Sequence, residues 1–120
     1  MTVKEKSSGS GTEILLTALR DPAQMKNLGT GDWDLLLRIA RRSRLTGRLA
    51  AIMEERGELE QLPVKVRDHF RAAKAFVTHY QRTACWEVNR LLAALTGMDV
   101  PLVLLKGGAY IIAGLPPSRG

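Results

Sequence analysis

Leu104-Leu105-Lys106-Gly107-Gly108 places a cation and two glycines where an apolar run gives way to a short helix-compatible stretch. A turn of this kind aims backbone N–H groups and one ammonium at a common point, and phosphate chemistry uses such points. It is not a Walker A loop, because the preceding glycine and the Ser/Thr after the lysine are missing. A second basic feature is Arg38, Arg41, Arg42, Arg44 and Arg48. Arginine binds phosphate in a bidentate way, so this cluster is a candidate polyanion-binding face, with a solvated helix face as the plainer reading. With only six aromatic residues in the chain, a stacking platform for single strands is disfavoured.

Other chemistry finds little support. His69 and His79 are ten residues apart on one helical stretch. They would face about 80° apart and stand ~15 Å apart along the axis, too far to share a metal. Cys85 is the single cysteine; it makes no internal disulfide and reads as a small buried residue. Glu54, Glu55, Glu58 and Glu60 read as a solvated acidic rim. Asp32 and Asp34 have i, i+2 spacing, but Asp32 reads as a helix cap. No catalytic residue and no metal ligand is nominated.

The elements that must position these residues are mostly helical. The chain has 120 residues, 45% of them hydrophobic and 25% charged, with a net charge of +6. That is one domain's worth of ordinary globular composition. A basic balance admits a polyanion partner without requiring one. Residues 1–11 read as a flexible, disordered segment because Lys4–Gly11 is polar and rich in Ser and Gly. Thr12 caps a first short helix, which Asp21-Pro22 ends. Trp33, Leu36, Leu37 and Ala40, then Leu45, Leu49, Ile52 and Met53, predict two helices over about 32–43 and 45–56, with Gly57 as the stop.

Val66, Phe70, Ala73, Val77, Tyr80, Ala84, Val88, Leu91 and Leu95 step by three or four without Pro or Gly. They predict one helix of about 33 residues, ~50 Å long, with a kink or division allowed near Thr83–Cys85 and Gly97 as its stop. The expected core is Trp33, Leu36, Phe70, Val77, Tyr80, Val88 and Leu91. Val100–Leu105 reads as a single strand near Val103, which requires a partner strand or else becomes helix or ordered loop. The fold class expected is therefore mainly α. It is a bundle of four or five helices including one long helix, with one candidate strand near the C-terminus. Residues 12–97 form the helical domain. No stretch is apolar enough to span a membrane. No signal peptide is visible, and a cytoplasmic location is expected.

Several stretches together resemble a bacterial nucleotidyltransferase-like family, a distant branch of the polymerase-beta-type nucleotidyltransferases. Trp33-Asp34-Leu35-Leu36-Leu37-Arg38-Ile39-Ala40-Arg41-Arg42 is similar to the family's tryptophan, paired leucines and alanine-arginine stretch. Arg44-Leu45-Thr46-Gly47-Arg48-Leu49 is similar to its short turn into the next helix. Val100–Gly107 resembles its hydrophobic strand ending in Leu-Lys-Gly, and Pro116-Pro117-Ser118-Arg119 its arginine-bearing approach to the active strand. The resemblance spans about Trp33 to Gly120. It implies transfer of a nucleoside monophosphate from an NTP to an acceptor, which could be a small molecule, protein or RNA. Lys106, Gly107 and Arg119 would then be nucleotide-binding.

In this family an Asp-any-Asp pair on the following strand holds Mg²⁺. That pair would fall just after Arg119, and the sequence stops at Gly120. The resemblance implies that residues 98–120 are the truncated start of an α+β catalytic region. Mg²⁺ is expected only for the complete enzyme, and the 120-residue chain is expected to be inactive. The alternative reading is a non-enzymatic basic module that binds nucleic acid, or that forms a homo-oligomer through the long helix or the unpaired strand.

Overall fold

The computed structural model describes residues 6–119. Its order is α1 (Lys6–Arg20), a 3-10 turn (Pro22–Asn27), α2 (Thr30–Arg42), α3 (Thr46–Glu55), a 3-10 turn (Leu59–Gln61), α4 (Val64–Ala94), α5 (Lys106–Ala113) and a 3-10 turn (Pro116–Arg119). The fold is mainly α, and no strand occurs among the described residues.

α1 begins at Lys6, six residues ahead of the expected cap at Thr12. The flexible stretch expected over residues 1–11 therefore gives up Lys6–Gly11 to helix, while Met1–Glu5 lie outside the described residues. Packing favours helix at Gly11, the last residue of this stretch. Gly11 is buried against α2, and a Cβ there would stand 2.9 Å from the Ile39 side chain. Glycine lets the two helices approach closely here; any larger residue would have to displace the Ile39 side chain.

α2 and α3 follow the periodicity of their apolar residues. Trp33, Leu36 and Ala40 are buried on α2, and Leu49, Ala50 and Met53 on α3. Gly57 ends the excursion beyond α3 at φ +68, a conformation that strains any residue with a Cβ. Pro63 then sets the chain for α4, supplying fixed φ at a point with no N–H to lose. α4 is one unbroken 31-residue helix, and the division allowed near Thr83–Cys85 does not occur. Nothing in Val64–Ala94 would cause one, since the helix holds neither Pro nor Gly.

The core lies at one end. Phe70 is fully buried and meets Trp33 edge to face, with ring centroids 6.1 Å apart and planes at 75°. Leu36, Leu49, Met53 and Met25 complete its surroundings as fully buried side chains. Burying each such side chain contributes roughly 1.5–3 kcal/mol. Four of the expected core residues fall outside this cluster. Val77 and Val88 are only half-buried, and Tyr80 and Leu91 are exposed at 62% and 52%. The cause is length. α3 is ten residues, or ~15 Å, against ~46 Å for α4, so the bundle runs out before the apolar stripe does. The principal extents of 69 × 30 × 18 Å and a radius of gyration of 18.4 Å express this. A compact chain of this size would have about 13–14 Å.

Val100–Leu105 carries no regular secondary structure. Among the described residues it meets no partner strand, so the condition for a strand is unmet, and it runs as loop into α5. No described helix is long and apolar enough to cross a membrane.

Charges brace the start of α4. Glu60 accepts from Arg67 at 2.9 Å and Arg71 at 2.6 Å. The Arg71 guanidinium first, then that of Arg67, holds the Glu60 carboxyl below its ordinary range. A depressed carboxylate contributes stability that is present above its unfolded pKa and lost as pH falls through its folded value. Glu60→Gln is therefore expected to flatten the acid limb of a stability–pH curve below about pH 4, with little change near neutrality. Phe70→Ala is expected to cost about 3–5 kcal/mol in urea unfolding. Phe76→Ala, at a site 71% exposed, should cost under about 1 kcal/mol.

Candidate functional site

The C-terminal part of the chain folds back onto the middle of α4. Gly114, at φ +66, turns the chain out of α5. The following 3-10 turn is then tied down from three directions. Arg48 of α3 donates to the Pro116 carbonyl at 3.2 Å. The Gln81 amide of α4 donates to the Ser118 carbonyl. Arg119 pairs with Glu55 of α3 at 3.2 Å, and its other nitrogen lies 3.4 Å from the Gly114 carbonyl.

This anchoring fixes where the nominated residues stand. Lys106 opens α5 and is exposed, and among the described residues it joins no ion pair. Its φ of 56 is left-handed, which is uncommon for a residue with a side chain. Gly107 has open space where a Cβ would stand. Gly107 and Ser118, the chain neighbours of Lys106 and Arg119, line one cavity of about 220 Å³ together with Phe76, Tyr80 and Tyr110. Arg119 itself lines the adjoining hollow of about 280 Å³, beside Glu54, Glu55, Lys74 and Gln81. Val77 is common to both. The fold thus brings the two ends of the nominated set, 106–107 and 118–119, to neighbouring cavities. A roomier cavity of about 520 Å³, lined by Trp33, Leu37, Val64 and His69 among others, includes none of the nominated residues.

The arginine cluster is divided. Arg38 pairs with Asp34, and Arg48 is half-buried and spent on the Pro116 carbonyl. Arg41, Arg42 and Arg44 remain exposed at the C-terminal end of α2 and the turn after it. There Arg41 and Arg42 also complement the helix dipole. Sequence reasoning missed the partners Glu55 and Gln81. The signal for Glu55 was a run of acidic residues at the end of α3, which read as rim; Gln81 had no such signal. In the fold each member of that run has a cation: Glu54 with Lys74, Glu55 with Arg119, Glu58 with Arg56 and Lys26, and Glu60 with Arg67 and Arg71. The Arg56 hydrogen bond, more than any other influence, lowers the Glu58 carboxyl from its ordinary value.

His69 and His79 are both exposed, and Cys85, expected to be buried, is half-buried on the uncovered length of α4. Among the described residues no three His, Cys, Asp or Glu side chains gather where a metal could be held. Carboxylates already committed to arginine and lysine do not fit a Mg²⁺ site, which needs free oxygen ligands in near-octahedral array.

No curated protein and no solved structure matches the chain. Residues 29–119, about three quarters of the chain and the stretch from α2 through the anchored C-terminal turn, match the model of a family described as uncharacterised nucleotidyltransferase. The chain belongs to this nucleotidyltransferase family.

Proposed function

We propose that this chain provides the helical scaffold and the phosphate-facing end of an enzyme that moves a nucleoside monophosphate from an NTP to an acceptor. In that reaction an acceptor oxygen or nitrogen attacks the α-phosphorus, and the bond to the β-phosphate oxygen breaks. Pyrophosphate leaves, and negative charge builds on the departing oxygens. Fixed cations at that position stabilise the transition state more than the ground state.

The observation that supports this reading is that the fold brings Gly107 and Ser118, the chain neighbours of Lys106 and Arg119, to one cavity, while Lys106 is exposed and joins no ion pair among the described residues. Lys106 contributes a point charge and Gly107 an unobstructed backbone at the start of α5. Arg119 contributes a planar donor once it exchanges Glu55 for phosphate. The carboxylates that would hold Mg²⁺ have no counterpart among the described residues, so these side chains bind and orient the triphosphate. On this reading the 120 residues alone bind a nucleotide without turning it over.

Titration calorimetry with ATP and inorganic tripolyphosphate tests this. Lys106→Gly removes the cation and also relieves a left-handed backbone. It should weaken tripolyphosphate binding about tenfold, the worth of one charged hydrogen bond, while the melting temperature holds or rises. The double change Arg41→Ala, Arg42→Ala should leave that affinity unaltered. The opposite pattern would transfer polyanion binding to the α2 cluster and refute the nucleotide reading. Glu55→Gln frees Arg119. It should tighten tripolyphosphate binding two- to threefold, a value on the order of one exposed ion pair, and cost under about 1 kcal/mol of stability.

A further inference from the structure

The cavity of about 520 Å³ beside Trp33 is walled by α2, the loop before it and the first turns of α4. No residue of α5 or of the final 3-10 turn lines it. Small-molecule sites usually measure about 300–1,000 Å³ and combine an apolar lining with a few placed polar groups. Here the buried Trp33 and Val66 and the half-buried Leu28 and Leu37 form an apolar floor. Thr30, Lys65 and His69 are exposed and mark the mouth.

One polar atom in this wall lacks a partner. Trp33 is 3% exposed, and its buried indole Nε1–H makes no hydrogen bond among the described residues. A buried donor left unpaired is uncommon in folded proteins and calls for an acceptor. Phe70 meets the indole edge to face, and the cavity supplies the room on another side. The nitrogen is closed to solvent as the side chains stand, so an acceptor reaches it as the lining yields. Val64 and Lys65, both exposed, are free to move aside.

The remaining groups in the wall are also mostly donors. Gly29 and Pro63 occupy the N-cap positions of α2 and α4, and neither makes a side-chain cap hydrogen bond. The backbone N–H groups of both first turns, at 30–32 and 64–66, accordingly have no partner among the described residues. Each helix start carries roughly half a positive charge. Lys65 adds a full one, and it joins no ion pair among the described residues. The carboxylate in the wall, Asp34, is taken by Arg38. Asp32 stands in the first turn of α2 but outside the wall.

We propose that this cavity binds a small organic anion, an apolar body with a carboxylate head. The body lies on Leu28, Leu37 and Val66. The head meets the two helix starts and Lys65, and one of its oxygens accepts from the Trp33 indole. Its two oxygens offer about four acceptor sites, enough for several donors at once. A free inorganic anion would satisfy the same donors but leave the apolar floor against water. The body therefore selects a carboxylic acid over phosphate.

This inference does not depend on the nucleotide reading. Its probes are octanoate, 1-octanol and inorganic phosphate, and its variants leave Lys106, Gly107 and Arg119 in place. The two indole N–H signals of the ¹⁵N-labelled 120-residue chain are followed by NMR during each titration. Trp86, 55% exposed and ~30 Å further along α4 than Val66, is the internal control. Octanoate should move the Trp33 signal in a saturable way and leave that of Trp86 unchanged. Octanol, the body without the charge, should bind at least tenfold more weakly, and so should phosphate, the charge without the body. Gly29→Asp sets a carboxylate at the N-cap of α2, where a Cβ meets open space. Aspartate caps a helix at least as well as glycine, so the melting temperature should hold or rise while octanoate affinity falls about tenfold. Lys65→Glu, at an exposed site, should lower that affinity by a similar factor. A Trp33 signal that octanoate leaves in place would overturn the proposal. So would octanol or phosphate binding as tightly as octanoate, or unaltered affinity in either variant.

Discussion

Phe70 wedged against Trp33 is the contact on which the rest of the molecule depends. It joins α4 to α2, and through Leu36, Leu49 and Met53 it closes the core around α3. Everything beyond that point on α4 is cantilevered. A helix of 31 residues cannot be stabilised along its whole length by a neighbour of ten. Isolated helices of modest length are marginal in water, and most helical stability in proteins comes from a packed apolar face. The remaining length therefore needs other cover, and the chain supplies part of it by folding back. α5 and the final 3-10 turn lie on the middle of α4, held by Arg48, Gln81 and the Glu55–Arg119 pair. None of these bonds is deeply buried, so the anchoring holds the cavity in place more than it adds to stability.

What could be read in the sequence follows the same division. Where an apolar stripe has a neighbour of matching length, periodicity gave the right helices and the right buried residues: Trp33, Leu36 and Phe70. The limits of α2 and α3 came within two residues, and Gly57 and Gly97 both adopt positive φ as stops require. The stripe of α4 is equally regular past Tyr80, yet periodicity says only which side is apolar. It does not say whether anything covers that side, and Tyr80 and Leu91 were misjudged for that reason. At the other end, a stretch rich in Ser and Gly reads as flexible, and α1 takes in Lys6–Gly11, with Gly11 close against Ile39. That approach is a tertiary fact with no local signature.

The candidate site was legible in its parts but not in its connections. Lys106 and Gly107 were nominated from a local pattern, and the fold leaves both open. Arg48 and Arg119 were nominated from charge or family pattern, and the fold spends both on holding the C-terminal turn. Sequence separation explains the difference: the Arg48–Pro116 and Arg119–Glu55 contacts cross 68 and 64 residues. The net charge of +6 already discounts the acidic groups, so it gives the excess of cations but not which of them are free; the ion pairs around α3 and α4 decide that.

Lys106 concentrates the remaining tension in the structure. It joins an extended apolar edge to a helix within one residue, and it does so at φ 56, which costs on the order of 1–3 kcal/mol for a residue with a side chain. Glycine would make that turn without strain, and two glycines follow immediately. Strain of this kind survives only where the surroundings over-determine it. Here the return of the chain along α4 and the anchoring of the final turn fix both sides of the residue. The sequence places a cation where the backbone favours glycine. On the proposed reading, that is what sets a charge beside the start of α5, where an anion would be drawn.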